Sequence, residues 1–333
     1  MQTPSMSEAT KDIEKVLNRY DPYLQTCRTN VLASLSKAPL SPVLIEYFER
    51  GKMLRPLLVF VAASTVGADP MAVTKAAEAI ELLHGASLIH DDIVDESDER
   101  RGLPSLHVRL GLGTALVLGD YLLSQAFAVL SEGQAIHAQA KVLEAVNTLS
   151  RQAQRCCRGQ VQELVQYDRL DPEEAYLSIV RDKTASQFVA STTIGAILGG
   201  GTRSQIEALD EYGTNVGLAF QLRDDMLDLI GEAHTLGKPA GKSLAQDRPM
   251  LPLIYLDKYG SLEARAEYRR MRQAGFERSK LVDLLERENI FERVEAVHED
   301  YVAASLKALE NLPPTDEIEA LQTLALYVTV RRS

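Results

Sequence analysis

The chain has 333 residues, 45% hydrophobic and 25% charged, with 36 basic against 47 acidic side chains and a net charge of −11. That composition suits a globular protein with a sizeable core, and the acidic balance excludes a surface that binds nucleic acid non-specifically. Cys27, Cys156 and Cys157 are an odd set without metal-ligand spacing, so free thiols in a reducing compartment are expected. Met1 to Lys15 is polar and charged with no apolar h-region, and no run of about 18 apolar residues free of charge appears. The expectation is a soluble cytoplasmic protein with no secretory signal and no membrane span.

Taken in order, nearly every segment has helical periodicity. Ala72 to Val94 carries Ala76, Ala79, Ile80, Leu83, Leu88 and Ile89 on helical spacing, with Pro70 just before it. Thr114 to Leu130, Val142 to Tyr167, Pro172 to Leu198 and Ser204 to Ile230 follow as long helices. Gly199-Gly200-Gly201 and Gly231 are the expected stops. Shorter helices run from Leu251 to the C-terminus, interrupted at Pro313-Pro314. No stretch alternates with β-branched residues, so no strands are expected. With no Pro/Gly/Ser-rich linker, residues 1–333 read as one all-α domain, a bundle of long helices around a central apolar cavity.

Two acidic clusters of identical spacing stand out: Asp91-Asp92-Ile93-Val94-Asp95 and Asp224-Asp225-Met226-Leu227-Asp228. Each lies near the C-terminal end of a long apolar helix, with its first and last carboxylates one turn apart on one face. Carboxylates repel one another and gain nothing from the helix dipole at that end. Bound cations would account for them, and sparse hard oxygen ligands suit Mg²⁺ shared with phosphate oxygens.

Basic residues accompany these clusters. Lys52 and Arg55 stand three apart in Gly51-Lys52-Met53-Leu54-Arg55-Pro56, at the start of an apolar helix where an anion is well received. Arg100-Arg101-Gly102 follows the first cluster, Lys183-Thr184 lies within an apolar helix, and Lys238, Lys242 and Arg248 occupy a Gly/Pro-rich loop after the second. Arginine suits bidentate phosphate recognition, lysine a point charge. The bland readings stand beside these. Asp95 to Glu99 alone would pass for a solvated face, Lys183 for a snorkelling side chain, and His84 for a satisfied core histidine. Gln160 and Glu163 fit either a cavity lining or ordinary surface polarity. The flanking apolar residues and the repeat itself argue against the bland reading for Asp91, Asp92, Asp224 and Asp225.

With these motifs the chain resembles the trans-isoprenyl diphosphate synthases, the family of farnesyl, geranylgeranyl and long-chain polyprenyl diphosphate synthases. The resemblance spans Gly51 to Pro252 and rests on Gly51–Pro56, Leu88–Asp98 with Arg100-Arg101-Gly102, Lys183-Thr184-Ala185, and Phe220–Asp225. The family pattern after the second cluster is altered. Ser243 replaces Asp, Asp247 Gly, Arg248 Lys and Met250 Thr, while Lys238 and a cation at 248 are kept.

The resemblance implies an isoprenoid-synthase fold and a Mg²⁺-dependent condensation of isopentenyl diphosphate with an allylic diphosphate. It implies metal bridging at Asp91, Asp95 and Asp224, with Asp92, Asp225 and Asp228 beside them. Lys183, Lys238 and Arg100 would neutralise phosphate, and Lys52, Arg55, His84 and Arg101 would hold the second substrate. Thr184 and Gln221 would face the allylic cation. A homodimer is the family expectation. Ala86 and Ser87, one turn before Asp91, are the expected first floor of the product tunnel; both are small, which favours a product longer than farnesyl. Beyond them the tail would run toward Leu83, Ile80 and Ala79. Two other classes compete: a class I terpene cyclase and a non-catalytic subunit of a heteromeric synthase.

Overall fold

A computed structural model describes residues 6–165, 171–231 and 248–330, with side-chain surroundings within 12–327. The first half runs α1 (Met6–Leu35), α2 (Ser41–Glu49), α3 (Leu54–Thr65), α4 (Thr74–Val94), β1 (Glu99–Arg100), β2 (Leu103–Pro104), α5 (Leu106–Leu110), α6 (Leu112–Ser131) and α7 (Gln139–Val165). Then come α8 (Pro172–Val180), a π-helical turn (Arg181–Ala185), α9 (Ser186–Gly199) and α10 (Arg203–Ile230). The last described part holds α11 (Leu251–Tyr259), α12 (Leu262–Ala274), α13 (Arg278–Arg287), α14 (Ile290–Ala308) and α15 (Asp316–Val330).

α9 is the hub. Apart from Gln187 its residues are small or apolar on every side, and all from Ser186 to Leu198 are buried, as expected of a helix enclosed by others. It packs on α3, α4, α7 and α10. The hydroxyls of Ser191, Thr192 and Thr193 donate back to the carbonyls of Gln187, Phe188 and Val189, so they can be buried without loss. One apolar cluster fills the space among α1, α3, α4, α6, α7, α9 and α15, and a second lies among α8, α10 and α11–α14. α10 joins them: Leu209, Tyr212 and Val216 enter the first, Leu222, Met226 and Leu229 the second.

Ends follow local chemistry. Asp171 caps α8 by accepting from the backbone of Glu173 and Glu174, with Pro172 at the first helical position. Thr202 and Gln205 form a capping box at the start of α10. Gly200, at φ 85°, ends α9 where a stop was expected.

One expectation needs correction. Two-residue strands do form, because Arg101 (φ 55°) and Gly102 (φ 72°) make a tight turn that closes a ribbon pairing Glu99 with Pro104. The expected helix Pro172 to Leu198 is present and passes without interruption through a π-helical turn at 181–185. Leu112–Ala135 is long and apolar enough to cross a membrane by length and composition, with Asp120 interrupting its apolar run. One face of this segment packs on α4 through Ala115, Leu118, Gly119 and Leu122.

The π turn sits between two glycines. A Cβ on Gly159 of α7 would fall 2.4 Å from the Lys183 backbone nitrogen, and one on Gly217 of α10 would fall 2.5 Å from the Ala185 Cα. Backbone cannot step aside as a side-chain tip can. Gly159→Ala and Gly217→Ala should each cost about 1–3 kcal/mol in urea denaturation, whereas Gly113→Ala, whose Cβ meets nothing within 4 Å, should be neutral or mildly stabilising. Equal stabilities for all three would refute the close approach.

Candidate active site

The π turn carries Lys183 and Thr184, and the two acidic clusters lie on either side of it. Lys183 Nζ is 3.3 Å from Asp91 and 2.6 Å from Glu163 of α7. Thr184 donates at 2.9 Å to the Gln221 side-chain oxygen, and Gln221 donates at 2.8 Å to Asp225. One five-residue turn therefore touches the end of α4 with one residue and the end of α10 with the next. Extra residues in a π turn rotate successive side chains away from α-helical register, which is how neighbours face different partners.

Within each cluster the first aspartate is more open than the second. Asp92 is buried and accepts from Arg100 Nε at 2.8 Å, while Asp91 keeps about a quarter of its side chain exposed and lies 3.3 Å from Arg100 Nη2. Asp95 is buried and pairs with Arg248. Burial alone would raise the Asp91 carboxyl, yet Lys183, Arg100 and Arg248 together hold it below its usual value. Asp225 and Asp228 are buried and Asp224 is half-buried. Asp225 accepts from two neutral donors, Tyr176 at 2.6 Å and Gln221 at 2.8 Å.

A second basic group lies a few turns up α4. Lys52 is exposed on a turn made by Met53 at φ 55°, and Arg28 ties that turn down by donating to Gly51 O at 2.8 Å. Arg55 is half-buried beside it; its guanidinium lies over the Phe188 ring at 5.1 Å and 3.1 Å from His84 Nε2. Burial lowers Arg55 to about 10, still charged at neutral pH. Arg101 lies over the Tyr47 ring, and buried Glu81 is a counter-charge to Arg101 and Arg55. Gly51 leaves the room: a Cβ there would fall 2.9 Å from a Glu81 carboxylate oxygen.

Most of the expected residues thus come together. Lys238 and Lys242 lie outside the described residues, as do Arg331 and Arg332. The carbonyl of Gln221 faces Thr184 and already accepts a hydrogen bond, so the Thr184 oxygen is the freer dipole of the two. Ser87 faces α9 and accepts from Gln187 at 3.0 Å. Ala86, about 100° further round the helix, is only 2% exposed. Tyr176, Glu81, Gln187, Gly159 and Gly217 carry no motif that marks them in the sequence; Glu163 was legible there as either a cavity lining or ordinary surface polarity. A groove of about 460 Å³ on the outer face of α7, lined by Leu143, Asn147 and Arg151 among others, contains none of the site residues. We place the chemistry at the charge network, because both acidic clusters and the basic residues meet there and none of them lines the groove.

Among the described residues no three acidic, histidine or cysteine side chains form a metal cage. Carboxylate oxygens offered singly suit a hard octahedral ion that takes its other ligands from water and phosphate, so the donor set fits Mg²⁺.

Burial, with Asp224 and Asp228 adding to it, pushes Asp225 up to about 7 against the pull of its two hydrogen bonds. An unfolded aspartate titrates near about 3.9. The folded chain therefore holds the extra proton between these values, and its stability falls as pH rises through that window. In metal-free buffer the urea midpoint should decline from about pH 4 to about pH 7, by up to about 4 kcal/mol in stability, and Asp225→Asn should flatten the slope. Parallel slopes for both proteins would contradict this.

Residues 38–287 match the polyprenyl synthetase family. The chain is 37% identical over 285 residues to a short chain isoprenyl diphosphate synthase of Methanothermobacter thermautotrophicus, covering 84% of this chain and 86% of that protein. It is 32% identical over 329 residues to an octaprenyl diphosphate synthase of Haemophilus influenzae, covering 96% and 97%. A polyprenyl synthase from Caulobacter crescentus, solved in complex with calcium and isoprenyl diphosphate, superposes with a TM-score of 0.86 at 30% identity, covering 96% of this chain and 98% of that one. The all-α fold, the paired acidic clusters and these similarities agree, and the chain belongs to the polyprenyl synthetase family, the trans-polyprenyl diphosphate synthases.

Proposed function

We propose that this single-domain chain condenses isopentenyl diphosphate with an allylic diphosphate, using Mg²⁺, to give an all-trans polyprenyl diphosphate longer than farnesyl. The observation that carries this reading is the π turn bridging both acidic clusters, Lys183 to Asp91 and Thr184 through Gln221 to Asp225. When bound, Mg²⁺ held by Asp91, Asp95 and Asp224, with Asp92, Asp225 and Asp228 behind them, supplies positive charge to the departing diphosphate. Lys183, Arg100, Arg248 and Lys238 neutralise its remaining oxygens. Lys52, Arg55, His84 and Arg101 hold isopentenyl diphosphate, whose double bond attacks the allylic carbon as the C–O bond breaks. Thr184 turns an oxygen toward the developing carbocation, and an oxygen of the released diphosphate takes the final proton. Apolar walls keep out the water that would quench the cation.

The relatives above are named for products of different length, so length is set by the walls of each cavity. Small side chains at Ala86 and Ser87 let the tail pass toward Leu83 and Ile80. Purified chain given Mg²⁺, isopentenyl diphosphate and each allylic primer should yield linear diphosphates beyond farnesyl. Asp91→Ala should lose at least about a hundredfold in kcat/KM, about 3 kcal/mol, and Ala86→Phe should shorten the product. A cyclic hydrocarbon would favour the cyclase, and an unchanged product from Ala86→Phe would remove the tunnel assignment.

Val108, Leu112, Leu116, Val117, Ile136 and Leu143 are each 47% or more exposed along α5, α6 and α7. So large an apolar face on a soluble chain asks for a cover, and we assign it to a second copy. Free Cys27, Cys156 and Cys157 accord with a reducing cytoplasm. Val117→Glu should convert a dimer to a monomer in analytical ultracentrifugation; a monomeric wild type that turns over only with a different polypeptide would favour the heteromer.

A further inference from the structure

The network above Ser87 has only one consistent arrangement of protons. Arg55 has donors and no acceptor, so His84 Nε2, 3.1 Å from Arg55 Nη1, must accept. His84 is then neutral with its hydrogen on Nδ1, which donates at 3.1 Å to Gln187 Oε1. That fixes the amide. Gln187 Nε2 donates at 3.0 Å to Ser87 Oγ and also faces Cys156 Sγ at 3.7 Å. Ser87, now an acceptor, sends its own hydrogen to His84 O at 2.8 Å. Each direction follows from the arginine. Burial independently keeps the imidazole neutral, well below its ordinary value.

Gln187 is itself 8% exposed, on the helix at the centre of the bundle. A buried amide is costly unless paired, and its partners belong to two different parts of the proposed site. On one side are Arg55 and His84, assigned to the second diphosphate; on the other is Ser87, assigned to the wall along which the product grows. We infer that Gln187 is a positioning residue that locks Arg55 and His84 for the second substrate and ties that lock to the tunnel wall at Ser87. This rests on the functional reading above.

Gln187→Leu keeps the size and removes both arms. The KM for isopentenyl diphosphate should rise about tenfold, with the KM for the allylic primer changed less than threefold, and the product distribution should shift. A merely structural role would move both KM values or neither. Nitrogen-15 spectra of histidine-labelled protein, with His84 assigned by the His84→Gln variant, should show the Nδ1–H tautomer in the wild type and its loss in Gln187→Leu. Unchanged kinetics in a folded Gln187→Leu protein would overturn the inference, as would an Nε2–H or charged His84 in the wild type. The wild-type spectrum decides the proton arrangement even if the variant fails to fold. A wild-type chain inactive with every primer, alone or with a partner, would instead sink the parent reading and leave the spectrum to judge the network.

Discussion

Six carboxylates gathered at the ends of two buried helices repel one another and oppose the helix dipoles, and the surrounding structure answers that repulsion differently on each side. At the end of α4 the answer is charge: Arg100, Lys183 and Arg248 crowd Asp91, Asp92 and Asp95. At Asp225 of α10 two neutral donors, Tyr176 and Gln221, meet the carboxylate, and burial drives it toward protonation. In the first cluster, Asp91 is held below its usual value and keeps about a quarter of its side chain exposed. In the second, Asp225 and Asp228 are buried and Asp224 is half-buried. On the proposed reading, incoming cations would share the first with three basic side chains and displace a proton from Asp225, so that metal and diphosphate would bind jointly.

The backbone bears strain where it presents these cations. Met53 and Arg101 both adopt left-handed φ without being glycine, at about 1–2 kcal/mol each. Met53 separates Lys52 from the helix that carries Arg55, and Arg101 turns the ribbon so that Arg100 reaches Asp92 while Arg101 crosses Tyr47. The π turn does the same for Lys183 and Thr184, and it fits only because Gly159 and Gly217 lack side chains. Such departures concentrate at functional positions because the surrounding packing can impose them there.

Much of this was legible in the residues. Helical periodicity marked α4, α6, α7 and α10 to within a few positions, since a helix face is a local pattern. The acidic clusters, Lys52 with Arg55, Arg100 with Arg101, and Lys183 with Thr184 were each visible as short motifs. Their partners were not. Glu163 fitted a cavity lining or ordinary surface polarity equally until α7 brought it to Lys183, and Tyr176 reaches Asp225 from another helix. The short ribbon at 99–104 was missed because two residues carry no alternation to detect; a turn conformation created it.

By itself, the order of residues determined the all-α class, the two acidic triplets and the basic motifs that accompany them, because each depends on spacing within one or two helical turns. Only the packing of α9 against α4, α7 and α10 decided that Gln187 meets His84 and Ser87, and that two glycines admit a π turn between the clusters. Those contacts join positions far apart in the chain, and their geometry is set by how helices seat against one another, which no local pattern encodes.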